Sequence, residues 1–363
     1  MTIPAPDNVK RILVRSVNWI GDAVMTTPAI GLIRQHFPQA EITVLANPLV
    51  GALFSHHEWI DQVLTFDRTG RHKGLFGRLR LAEEVRDKAF DLAIILPNSF
   101  DSALIPWLAR IPARLGKSGD GRTLMLTDCY RPERQKPVSH EVDCYVELVR
   151  HFGISGSKKL PQLFTTADED RDAAGRLLQQ NITAADFVIG VNPGATYGSA
   201  KRWYPDRFAE VARRLSHTWN AKIVVFGGPA ETQISEEIEH LLAGNCCNLV
   251  GQTGVRELTA LIKRCNFFIT NDSGPMHLAA AFGVPLVAIF GSTDHATTSP
   301  YTDQAVIVRH PVDCAPCKLR ECPTDHRCMT AVSAEEVVRA ATDLMSSAKM
   351  ENHSFERTAA HKN

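Results

Sequence analysis

Asn266-Phe267-Phe268-Ile269-Thr270 runs directly into Asn271-Asp272-Ser273-Gly274-Pro275-Met276-His277-Leu278-Ala279-Ala280-Ala281, and this stretch decides the fold. The aromatic and β-branched residues at its start read as a buried strand, Pro275 suits the first position of a helix, and the alanine-rich remainder continues that helix. Ser273 and Gly274 bring close backbone amides to the turn between the two elements. Those amides, together with the helix dipole, make a cradle for a diphosphate. Asp272 would repel phosphate, so its expected work is to fix the Ser273-Gly274 turn or to aim a nearby cation such as Lys201. His277 falls about one turn into the helix, where a packed core histidine and a ligand-facing one are both open readings.

Outward from this point, short apolar strands alternate with helix-length amphipathic segments along the whole chain, the pattern of parallel sheets covered by helices. A first set of strands reads 11–15, 41–46, 62–66 and 91–96. A second begins at 187–192, continues through 222–226 and 266–270, and closes at 286–290. Between the sets, Gly153-Ile154-Ser155-Gly156-Ser157-Lys158-Lys159-Leu160-Pro161 has the composition of a linker. The expected organisation is an α/β domain over 1–160, a second over 161–348 and a flexible tail over 349–363. A ligand is expected where the carboxyl ends of both sheets face each other.

The 363 residues are 44% hydrophobic and 22% charged, which excludes bulk disorder. Lys+Arg 40 balances Asp+Glu 40, so the chain lacks the basic excess of a general nucleic-acid binder. The balance hides a split: residues 1–160 hold 21 basic against 17 acidic side chains, net +4, and the remainder 19 against 23, net −4. An anionic ligand therefore favours the first half. No apolar run is long enough to span a bilayer and Met1-Thr2-Ile3-Pro4-Ala5-Pro6-Asp7 lacks a signal-peptide core, so a cytoplasmic location is expected. Nine cysteines, an odd number, fit reduced thiols better than a secreted disulfide framework.

Three further loops carry candidate chemistry. The first strand leads into Trp19-Ile20-Gly21-Asp22, where Asp22 either takes a proton from a substrate hydroxyl or caps the helix that follows. No Gly-x-Gly-x-x-Gly stands there, which disfavours a nicotinamide enzyme. Strand 187–192 ends in Asn192-Pro193-Gly194-Ala195-Thr196, with Lys201-Arg202-Trp203 beyond it: small residues, a hydroxyl and a mobile charge that together suit a phosphate. Strand 222–226 ends in Gly227-Gly228-Pro229-Ala230-Glu231, where Glu231 could hold a ribose diol or simply complement the helix dipole. Gly291-Ser292-Thr293-Asp294 is another polar loop on the same edge. This set matches a nucleoside diphosphate ligand better than a hydride carrier.

Ile12-Leu13-Val14-Arg15 with Gly21-Asp22, Asn192-Pro193-Gly194-Ala195 with Lys201-Arg202-Trp203, and Asn271 to His277 resemble the ADP-heptose:lipopolysaccharide heptosyltransferases, glycosyltransferase family nine, across essentially the whole chain. Trp19 to Asp22 and the late cysteines resemble the members that add the second core heptose; those adding the first are close competitors. The resemblance implies a GT-B fold of two Rossmann-like domains facing across a cleft, with acceptor on the first and ADP-heptose on the second. It makes Asp22 the general base and Lys201 the diphosphate ligand. It makes Thr196 a further phosphate contact, Glu231 a ribose ligand, and Asp272, Ser273 and Gly274 the diphosphate-binding turn, with His277 beside it. The implied reaction is a single inverting displacement. No Asp-x-Asp triplet stands at a strand end, so no metal is expected to be essential, and a loosely bound Mg²⁺ remains an option.

The acceptor so implied is the acidic inner core of lipopolysaccharide, and the chain is expected to work peripherally at the cytoplasmic face of the inner membrane. The basic run from Asp67 to Arg80 is the expected place for its phosphates and for a transient anionic membrane surface, with Arg68, Arg71 and Lys73 as contacts and Arg122, Arg131 and Arg134 as weaker ones. Cys314, Cys317, Cys322 and Cys328 are expected to be free thiols or a local disulfide rather than a metal site. The rivals are a related transferase using another sugar nucleotide and a non-catalytic nucleotide-sugar binding module.

Overall fold

The computed structural model describes residues 5–132 and 138–360. The chain divides into two compact units, Met1–Thr166 and Ala167–Asn363. The first holds β1 (Arg11–Arg15), β2 (Glu41–Ala46), β3 (Gln62–Thr65), β4 (Leu92–Ile95), β5 (Ala113–Lys117) and β6 (Asp128–Tyr130), in the order β3-β2-β1-β4-β5-β6. The second holds β7 (Phe187–Asn192), β8 (Ala221–Val225), β9 (Cys247–Asn248), β10 (Phe267–Asn271), β11 (Leu286–Ile289) and β12 (Ala305–Val308), in the order β12-β11-β10-β7-β8-β9. All pairings are parallel.

Counted from its own first strand, each sheet has the order 3-2-1-4-5-6 of a doubly wound Rossmann sheet. The fold is thus GT-B in its elements, two Rossmann-like α/β units. The winding reverses between β1 and β4 in the first sheet and between β7 and β10 in the second. At such a switch point neighbouring loops leave the sheet in opposite directions and open a crevice at its carboxyl edge.

Central strands are covered on both faces and are therefore unbroken apolar runs: Ile12, Leu13 and Val14 in β1, and Phe267, Phe268 and Ile269 in β10, are all fully buried. The outer strands lack that signature. β5 reads Ala113-Arg114-Leu115-Gly116-Lys117 and β9 is two residues long. The second sheet does not close at β11, because β12 pairs beyond it with only partly buried residues.

The stretch expected as a linker instead lies along the first unit's helix Ile20–His36. The Ser157 amide donates to Gln35 Oε1 at 3.0 Å, and the Gln162 amide to Thr27 Oγ1 at 3.1 Å. The last helix is Ala334–Ala360, running through most of the expected tail.

Strand β7 packs so closely on β10 that a Cβ on Gly190 would stand 2.9 Å from Cys265 Sγ and run into the Phe268 ring. Gly190→Ala is expected to cost about 1–3 kcal/mol through overpacking. Differential scanning calorimetry should show the lowered Tm with an unchanged far-ultraviolet spectrum.

Candidate active site

The second unit's switch point is built on two buried asparagines that end neighbouring strands. Asn192, last in β7, donates from Nδ2 to Ser273 Oγ at 3.0 Å and to the Gly194 carbonyl at 3.2 Å. Asn271, last in β10, donates to the Pro193 carbonyl at 2.7 Å and accepts from the Trp203 amide at 3.0 Å. These bonds lock the loop after β7 to the turn after β10. Ser273 occupies the N-cap position of the helix Gly274–Ala281, with Pro275 in its first turn, as the sequence predicts. Its amides open onto the carboxyl edge of the sheet.

Lys201 closes the short turn Ser199–Lys201, and its Nζ lies 2.6 Å from Asp272 Oδ2. Thr293 Oγ1, from the loop after β11, donates to the same carboxylate oxygen at 2.6 Å. Of the two readings of Asp272, aiming the lysine is therefore realised. Both side chains are largely buried, so the lysine charge is held in place rather than waving in solvent.

A brace that no sequence signal marks holds this loop from outside. The Ala200 amide donates to the Arg320 carbonyl at 3.0 Å, Tyr197 Oη donates to the Lys318 carbonyl at 2.8 Å, and His326 Nε2 lies 3.0 Å from the Ala200 carbonyl. The Tyr197 ring is flanked by Lys201 Nζ at 5.1 Å and the Arg320 guanidinium at 5.4 Å. Residues 318–326 belong to the cysteine-bearing segment. All nine cysteines are free thiols, and among the described residues no three His, Cys, Asp or Glu side chains are grouped to hold a metal. Hydrogen bonds around Thr324 draw the Cys322 thiol down, whereas burial pushes Cys328 up.

Glu231 is buried and ends the turn Pro229–Glu231; its Oε2 accepts the Gly228 amide at 2.7 Å and its carboxyl group lies against Gly194. One of its oxygens is thus committed to the turn itself. Thr196 is exposed on the lysine loop. His277 is buried within the helix Gly274–Ala281.

In the first unit Asp22 is the third residue of the helix Ile20–His36, partly buried. It does not cap that helix, because Trp19 takes the N-cap position. Burial, and after it the Asp22 charge, holds the Tyr145 phenol well above its usual range. Arg15, at the end of β1, is fully buried; desolvation lowers its pKa to about 10, so it stays cationic at neutral pH. It bonds to the carbonyls of Ser16 and Leu45, while its Nε has no hydrogen-bond partner among the described residues. Arg15 and Arg68 both lie over the Phe66 ring, at 5.5 and 5.7 Å. From sequence Arg15 reads only as strand and motif, since nothing in a β-strand pattern marks an arginine that turns inward.

The basic candidates are more tied down than a solvated loop would be. Arg68 and Arg78 pair with Asp101 at 3.5 and 2.8 Å, and Arg71 with Glu84 at 2.5 Å, whereas Lys73 is exposed. Arg122 is not a surface contact: it is fully buried and donates to the carbonyls of Lys117 and Pro97. Arg134 lies outside the described residues.

The profile of glycosyltransferase family 9 (heptosyltransferase) matches residues 78–327. Lipooligosaccharide heptosyltransferase 2 of Haemophilus ducreyi is 34% identical over 314 residues, 82% of this chain and 88% of that protein. Lipooligosaccharide heptosyltransferase 2 of Campylobacter jejuni serotype O:2 is 30% identical over 92% of this chain and 98% of its own length. Among solved structures, ADP-heptose lps heptosyltransferase II of E. coli superposes with a TM-score of 0.78 at 28% identity, over 93% of this chain and 99% of that one. A glycosyl transferase family 9 structure from Veillonella parvula superposes with a TM-score of 0.85 at 27% identity, over 93% and 98%.

Asn271→Ala would leave the Trp203 amide and the Pro193 carbonyl unpaired in the interior. The expected cost is about 2–6 kcal/mol, from two buried groups at about 1–3 each. Urea unfolding should show a lower midpoint at unchanged slope.

Proposed function

Because this chain belongs to glycosyltransferase family 9, the heptosyltransferases, we propose that it is the inverting enzyme that moves heptose from ADP-heptose to the first heptose of the lipopolysaccharide inner core, as heptosyltransferase II does. The observation that carries the reading is the buried Lys201 beside the amide-bearing start of the helix Gly274–Ala281, a place made for the departing diphosphate.

In this reading the second unit binds the donor. Lys201 and the amides at Ser273 and Gly274 meet the charge that grows on ADP as the anomeric bond breaks, Thr196 adds a hydroxyl, and the remaining capacity of Glu231 goes to the ribose. His277 backs the turn from within the helix. Asp272 is a positioning residue, since it holds the lysine rather than the ligand. The first unit binds the acceptor. Asp22 removes the proton from its hydroxyl as that oxygen attacks the anomeric carbon opposite the leaving ADP, so configuration inverts. Arg68, Arg71 and Lys73 face the phosphates of the acidic acceptor. The mechanism assigns no step to a metal, and a loosely held Mg²⁺ would only add to the charge on the diphosphate side. Among the described residues no helix is long and apolar enough to cross a membrane. In this reading the acceptor is met at the cytoplasmic face of the inner membrane.

Asp22→Asn is expected to lose turnover by about 10²–10⁴-fold, the usual worth of a general base, while calorimetric ADP binding persists. Lys201→Ala should lose about 10²–10³-fold in kcat, comparable to losing one preorganised charge-stabilising donor, and weaken ADP binding as well. Both are read with ADP-heptose and a heptose-bearing acceptor. Nucleotide release from UDP-sugars alone would refute the donor assignment.

A further inference from the structure

The first unit carries an apolar corner that its own core does not use. In the helix Gly74–Asp87 the buried positions are Gly77, Leu81, Ala82 and Val85, one stripe at helical spacing. Leu75, Phe76 and Leu79 point away from it and are 65%, 86% and 40% exposed. Single exposed apolar side chains are ordinary, but three within five residues at one helix end are not. The patch has neighbours. The Arg78–Asp101 pair at 2.8 Å fastens this helix end to the start of the helix Phe100–Leu108, where Phe100 is half exposed. Leu124, 92% exposed, lies in the adjoining turn Arg122–Met125.

The corner is held rigidly. The Asp67 carboxylate accepts the amides of Thr69 and Gly70 at 3.2 and 2.9 Å, and the His72 amide donates to the Asp67 carbonyl at 2.8 Å. His72 is buried beneath the loop, its backbone so close to Gly77 that a Cβ there would stand 2.7 Å from the His72 Cα. Leu75 and Phe76 are therefore presented outward by a built turn. Exposed cations frame them: Arg71, which shares its guanidinium with Glu84, together with Lys73 and Arg80. Glu83 ends the patch one turn farther on.

We propose that this corner docks on an anionic lipid bilayer, with Leu75, Phe76 and Leu79 entering the boundary between headgroups and acyl chains while Arg71, Lys73 and Arg80 engage acidic headgroups. Apolar side chains ringed by cations match the two attractions that a charged membrane surface offers, and a neutral protein partner would leave the cations unmatched. The inference deepens the functional reading, in which the acceptor is a membrane glycolipid, but its geometry stands on this corner alone.

The test is co-sedimentation of the full chain with vesicles of phosphatidylethanolamine and phosphatidylglycerol, against vesicles of phosphatidylcholine only. The wild type should bind the anionic vesicles, and lose about fivefold in partitioning for each of Lys73→Gln and Arg80→Gln. Leu75→Ser with Phe76→Ser should lose about tenfold or more, with Tm and turnover on a soluble, lipid-free acceptor unchanged. Equal binding to neutral vesicles, or undiminished binding of the double variant, overturns the proposal. So does a dimer in sedimentation velocity that the double variant dissolves, since the patch would then be covered by a second copy. Vesicle binding without any turnover by the wild type would instead sink the functional reading and leave the docking intact.

Discussion

The second unit depends on two side-chain amides. β7 and β10 lie side by side, and the chain leaves their ends in opposite senses, so the loops that follow would diverge. Asn192 and Asn271 prevent that by reaching across the gap to serine, to carbonyls and to the Trp203 amide. Only with the loops so tied can a lysine from one meet a carboxylate from the other. An asparagine suits the task because its amide both donates and accepts, which a carboxylate or a hydroxyl in the same buried place could not do over the same reach.

Given that tie, the electrostatics follow. Asp272 holds Lys201 from below, Thr293 shares the carboxylate, and the start of the helix Gly274–Ala281 adds backbone dipoles of the same sign as the lysine. The arrangement fixes the ammonium group, its carboxylate partner and the helix amides relative to one another. Preorganised charge of this kind avoids the rearrangement that water would need, which is why it stabilises a developing anion so effectively. The first unit is built differently: Arg15 is buried against Phe66 at the end of β1, and Arg71 and Arg78 are held by Glu84 and Asp101.

The central strands were legible in the sequence because burial on both faces leaves continuous apolar runs, as in β1 and β10. The loops at the switch point were legible because strand ends followed by Gly, Ser and Pro have few other meanings. The outer strands β5, β6, β9 and β12 were not: half covered, short or interrupted by charge, they take their conformation from the neighbour they pair with. Gly153 to Pro161 misled for a related reason. Flexible composition is compatible with packing wherever partners such as Gln35 and Thr27 happen to wait. Nor could the pattern reveal that Arg122 is buried, since its partners are carbonyls, which carry no side-chain signature.

Lys201 sits in the middle of the chain, but its loop is finished by residues more than a hundred positions later: Tyr197 reaches Lys318, Trp203 Nε1 reaches the Val332 carbonyl, and Ala200 meets Arg320 and His326. A nascent polypeptide not yet extended as far as Lys318 would hold the ammonium group through Asp272 and Asn271 alone, without this outer brace. Full bracing of the lysine loop is therefore among the last features the emerging molecule acquires, whatever the order in which its sheets assemble.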